Sequence, residues 1–104
     1  MEGLLMREQI KEIVIKSLEE LNEQLEEEKF SDVLEDTVIF GKNASLDSFD
    51  FVNLIVIIEG EIFDALGKSI TIVSEKAFSK KYNPFATVGR IVDFIVDLLG
   101  SEQV

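Results

Sequence analysis

Leu46-Asp47-Ser48-Phe49-Asp50-Phe51-Val52 is the stretch on which the reading of this chain turns. An acidic residue and a serine stand at the mouth of a long apolar segment, which predicts a loop ending at Asp47 and a helix from Ser48 to about Ile62. Asp is a favoured N-cap because its carboxylate accepts orphan amides of the first turn. A serine in the next position has its hydroxyl in solvent, beside backbone N–H groups that favour a phosphate. Two apolar stripes coexist in this segment, one through Val52, Ile55, Val56, Ile62 and Phe63, the other through Phe51, Leu54, Ile58 and Ile62. Its β-branched residues would also suit a buried strand, but strands rarely run this far without a turn signal, so length favours helix.

Upstream, Met6, Ile10, Ile13/Val14, Leu18, Leu21 and Leu25 recur at spacings of three and four, with most glutamates off that line. This is the stripe of an amphipathic helix over about residues 5–28, supported by the Glu12→Lys16 pair one turn apart. From Phe30 to Ser45 the periodicity breaks, and isolated apolar residues pin a long loop to the core. Within it, Thr37-Val38-Ile39-Phe40 is also readable as a short strand. Downstream, Ile70-Thr71-Ile72-Val73 looks strand-like but lacks an obvious pairing partner. Ser74 or Glu75 opens a weaker helical stretch through Lys81, with Ala77 and Phe78 as its apolar side.

Asn83-Pro84 is a turn signal, because the residue before proline avoids α geometry. Thr87 then caps a last helix whose buried face is Val88, Ile91/Val92, Ile95 and Leu98/Leu99. Gly89 within it costs about 1 kcal/mol against alanine, which is tolerable early in a helix where another backbone packs close. Gly100 stands where a C′ glycine is expected. The expectation is one all-α domain spanning 1–104 with its core over about 5–99. It is a four-helix bundle with a long loop between the first two helices and a short third helix.

The chain has 104 residues and is 46% hydrophobic, which argues for a folded core rather than whole-chain disorder. The formal net charge is -11. Residues 1–36 carry most of it, and between Leu46 and Asp64 the charged side chains are Asp47, Asp50, Glu59, Glu61 and Asp64, with no Lys or Arg. Such a balance disfavours nucleic acid and anionic membranes and favours partners with Lys/Arg-rich faces. The longest apolar stretch is too short and interrupted to span a bilayer, and there is no secretory leader pattern, so the expected location is the cytoplasm. Cysteine and histidine are absent, which removes thiolate metal sites and the commonest general base. A serine hydrolase at Ser48 would lack its usual base. An EF-hand starting at Asp47 would put Phe49 and Phe51 at ligand positions and Ile58 where the bidentate glutamate belongs.

The ordered set of features resembles the acyl carrier protein family over about residues 5–99. An amphipathic first helix is followed by a long loop with Phe40-Gly41, then Leu46-Asp47-Ser48 and a second helix ending in Glu59-Gly60-Glu61-Ile62-Phe63. Ile70-Thr71-Ile72 and Thr87-Val88-Gly89-Arg90-Ile91-Val92-Asp93-Phe94-Ile95 complete the order. The Asp-Ser pair alone would mean little; the order is what is specific.

The resemblance implies that Ser48 is the attachment residue for a 4′-phosphopantetheine arm, installed from coenzyme A by a phosphopantetheinyl transferase. The chain would then be a monomeric carrier of acyl thioesters, without catalysis of its own, in a pathway such as lipid or fatty acid biosynthesis. It would serve acyl-loading, acyl-transfer or condensing enzymes with basic docking faces. Asp47, Phe49, Asp50, Glu59 and Glu61 would face those partners, with one of Phe49 and Phe51 packed inward and the other turned to a partner. The surplus apolar residues of the second helix would shelter an acyl chain or pack under the long loop.

Phe49 where leucine is usual, Asn53 where many relatives have glutamate, and a longer link over Phe63–Lys68 point to a specialised member. The alternatives are a peptidyl or aminoacyl carrier using the same arm, and an unmodified acidic adaptor that docks basic protein surfaces.

Overall fold

The computed structural model describes residues 2–25, 33–41, 46–73 and 83–102. Three helices form there: α1 (Glu2–Gln24), α2 (Ser48–Leu66) and α3 (Val88–Glu102). Helix α1 lies against both of the others, whereas α2 and α3 do not approach each other directly. Its buried line is Ile10, Val14, Leu18 and Leu21, the heart of the stripe read from the sequence. Ser17 is also fully buried on that side; its hydroxyl donates to the Ile13 carbonyl at 2.8 Å, so burial leaves no unpaired polar atom.

Rings fill the gap between α2 and α3. Phe51 of α2 stacks on Phe40 of the long loop at 4.4 Å between centroids and meets Phe85 at 5.2 Å. Phe85, on the segment before α3, sets its edge against Phe94 of α3 at 5.9 Å. Buried Ile39, Ile70 and Ile72, outside the helices, join the same core. The four-helix bundle is therefore corrected: among the described residues three helices enclose the core, and loop side chains occupy the space between the outer two. The short third helix expected over residues 74–81 lies outside the described residues. The composition there offers it only Ala77 and Phe78 as an apolar side.

Thr37–Phe40 is neither free loop nor strand ladder. Val38 and Thr87 form an isolated antiparallel bridge, with Ile39 N donating to Ala86 O at 2.8 Å and Val88 N to Thr37 O at 3.1 Å. Asn83 reinforces the join: its Nδ2 donates to Phe40 O and its Oδ1 accepts from Phe85 N. An ion-pair cluster closes the same corner. Arg7 of α1 donates to Glu35 of the loop and to Asp93 of α3, and Lys11 adds a second pair to Glu35.

Two helix ends differ from expectation. Helix α2 continues through Phe63–Leu66 and stops at Gly67, whose φ of 66° is left-handed and whose amide returns to Phe63 O at 2.9 Å. The longer link after the second helix is thus mostly helix. Gly100 lies inside α3 and does not adopt positive φ, so it is not a C′ cap. Thr87 does cap α3, accepting from Arg90 N at 3.2 Å.

Candidate functional site

Asp47 has the extended backbone of an N-cap, with φ −84° and ψ 179°. Its Oδ1 accepts from Asp50 N at 2.8 Å, and its carbonyl from Phe51 N at 3.0 Å. These bonds start the helix at Ser48, which is exposed. The serine is flanked by two anchors, Leu46 at 5% and Phe51 at 7% exposure, so its hydroxyl projects from a fixed point. Phe51 is the inward ring and Phe49, 74% exposed, the outward one.

The remaining residues read as partner-facing divide. Asp50 is half-buried beside the cap. Glu59 turns to its own chain, Oε2 accepting from Ile72 N at 2.9 Å. That bond serves the amide of the strand-like segment, in which Ile70 and Ile72 are buried while Thr71 and Val73 are exposed. Glu61 pairs with Lys16 of α1 at 3.3 Å. The cap end therefore gathers Asp47, Ser48, Phe49 and Asp50, while Glu59 and Glu61 lie turns away and hold neighbouring elements.

The second apolar stripe of α2 wins the interior: Phe51, Leu54, Ile58 and Ile62, joined by Ile55, are buried. Val52, Val56 and Phe63 are exposed at 57%, 62% and 57%. They face solvent rather than the core. Their outward position follows from the excess of apolar positions over what one buried face needs.

A groove of about 260 Å³ lies between α1 and α2, lined by Gln9, Glu12, Ile13, Lys16, Glu61, Ala65 and Leu66. At 1.5 Å per residue, Glu61 sits roughly 20 Å along α2 from Ser48, so the groove belongs to the other end of the helix. No group of three or more carboxylates suited to a metal ion occurs among the described residues. No helix among them is long and apolar enough to cross a membrane.

At the α2 start the chain thus offers an exposed primary alcohol with a capping carboxylate and no imidazole in the whole sequence. Such an alcohol is a weak nucleophile unless another protein supplies the base. Comparison with protein-family models, curated proteins and solved structures finds no match to this chain.

Proposed function

We propose that the chain is a carrier protein of the acyl carrier type, carrying acyl groups as thioesters on a 4′-phosphopantetheine arm attached to Ser48. The observation that carries this reading is the exposed Ser48 hydroxyl, held at a capped helix start between the buried Leu46 and Phe51. In the attachment step, the Ser48 oxygen forms a phosphodiester with the phosphate bearing pantetheine. The pyrophosphate bond of coenzyme A breaks, adenosine bisphosphate leaves, and the serine proton passes to a base of the transferase. Once attached, the arm supplies the thiol that this cysteine-free chain lacks. The chain's part is to bring cargo to docked enzymes at high local concentration.

On this reading the protein works as a cytoplasmic monomer without catalytic activity. Its partners are a phosphopantetheinyl transferase and enzymes that load and transfer or condense acyl groups, and aminoacyl cargo would use the same geometry. The exposed stripe Val52, Val56 and Phe63 favours one rival, an unmodified adaptor whose business is docking alone.

Intact-mass analysis after incubation with coenzyme A and a promiscuous phosphopantetheinyl transferase separates them. The carrier reading expects one phosphopantetheine adduct, lost in Ser48→Ala. An unchanged mass for the wild type would leave the adaptor.

A further inference from the structure

Asn83 carries an acceptor and a donor on one side-chain amide, and both are used on residues that touch Phe51. Its Oδ1 takes the amide of Phe85, two residues on, at 2.9 Å, which is the local turn an Asn-Pro pair favours. Its Nδ2 donates to the carbonyl of Phe40, 43 positions back along the chain, at 3.1 Å. The turn needs only the oxygen; the nitrogen ties a second segment to it. Gly41 leaves room for that nitrogen, which lies 3.3 Å from where a Cβ would stand, and its φ of 120° suits glycine. The backbone pairing of the two segments ends at Ile39 N and Ala86 O. Asn83 extends the join by one residue, to Phe40 itself.

The two backbones joined in this way carry the rings that hold Phe51. Phe40 stacks on it at 4.4 Å and Phe85 meets it at 5.2 Å, tilted by 55°. Phe51 in turn donates its amide to Asp47 O at 3.0 Å, closing the helical turn that contains Ser48, Phe49 and Asp50. A shift of the Phe51 ring is therefore a shift of the bond that fixes the serine backbone. We propose that Asn83 is a positioning residue for Ser48, acting through Phe40, Phe85 and Phe51 on the first turn of α2. As a statement about arm transfer, the proposal rests on the carrier reading.

Two readouts on the intact protein test it. Amide hydrogen exchange needs no arm. Asn83→Ala should quicken exchange several-fold at Asp50 and Phe51, whose amides bond to Asp47, and leave Ile58 unchanged. The second readout is the kinetics of arm transfer by the promiscuous phosphopantetheinyl transferase. A displaced Ser48 oxygen lowers kcat, here by about threefold to tenfold, at unchanged KM. A smaller folded fraction would instead raise the apparent KM. Asn83→Asp separates the clip from the turn, because it keeps an acceptor for Phe85 N and has no N–H for Phe40 O. It should behave like the alanine variant. Phe40→Leu should show the same selective defect, and adding Asn83→Ala to it should lose little more. Wild-type behaviour of Asn83→Asp in both readouts would reduce Asn83 to a local turn and overturn the proposal. So would a KM rise at unchanged kcat, or exchange that quickens equally at Ile58. A wild type that takes no adduct removes the carrier reading, and exchange alone then decides whether Asn83 fixes the start of α2.

Discussion

Gly60→Ala and Gly89→Ala are the same chemical change in two helices of one small protein, and the structure gives them opposite signs. A methyl group on Gly60 meets nothing within 4 Å. The substitution removes the backbone freedom of glycine from the middle of α2 and should stabilise by about 1 kcal/mol. On Gly89 the new methyl would stand 3.2 Å from the Glu35 carbonyl oxygen and 3.3 Å from its carboxylate. Neither atom is free to retreat. The carbonyl accepts the Gly89 amide itself at 2.8 Å, and the carboxylate is held by Arg7 and Lys11.

Overpacking of this kind costs on the order of 1–3 kcal/mol, while the helix-propensity gain is at most about 1 kcal/mol. Gly89→Ala should therefore lose roughly 1 kcal/mol, leaving the two variants about 2 kcal/mol apart. With a urea slope of about 1–1.5 kcal/mol/M for a domain this size, their unfolding midpoints should differ by more than about 1 M on either side of wild type. A Gly89→Ala midpoint at or above wild type would show that the loop does not press on α3 as described. In a double-mutant cycle, Gly89→Ala should cost less in a Glu35→Ala background than in wild type, since the carboxylate contact is then gone and only the carbonyl contact stays.

Two further outcomes can be checked in the same assay. Asp47→Ala should cost about 1 kcal/mol by removing the cap of α2, whereas Asp47→Asn, whose side-chain oxygen still accepts the Asp50 amide, should cost much less; equal losses would mean that charge, not capping, is what Asp47 supplies. The Arg7 hydrogen bond holds the Glu35 carboxyl below its ordinary 4.5. Its contribution is thus complete above that pH and fades as acid takes the carboxylate through its lowered folded-state value. Urea midpoints should fall less steeply between about pH 5 and pH 3 in Arg7→Met than in wild type, and parallel curves would remove the pair from the acid response.

What could be read from the sequence was what depends on neighbours along the chain. Asp47 and Thr87 declare helix starts because capping uses an amide three residues away, and the α1 stripe shows because one face suffices to cover it. Gly89 as a site of close approach was legible from its cost alone. What depends on distant partners was not. The end of α2 lay hidden because Phe63–Leu66 suits a link or a last turn equally well, and only the left-handed Gly67 settles it. Gly100 has the chemistry of a stop, yet α3 runs on through it. Alternation at Ile70–Val73 was genuine, but its amide is served by the Glu59 side chain rather than by a strand. The facing of α2 was undecidable because its apolar residues exceed one face; packing against α1 and the Phe40–Phe51–Phe85–Phe94 rings makes the choice.

That choice decides which side chains of α2 reach solvent. Glu59 and Glu61, which composition alone would count among the docking charges, are engaged with Ile72 and Lys16 and so fasten the helix to its own fold. Asp47 at one end of α2 and Asp64 toward the other are exposed acids, with the exposed Val52, Val56 and Phe63 between them. Charges at the rim chiefly accelerate encounter, and buried apolar contact chiefly slows departure. On the carrier proposal, the exposed acids of α2 would orient a basic partner and its exposed apolar side chains would set how long that partner stays. If the chain is such a carrier, residence on a partner would be tunable at Val56 or Phe63 without moving Ser48 or its cap.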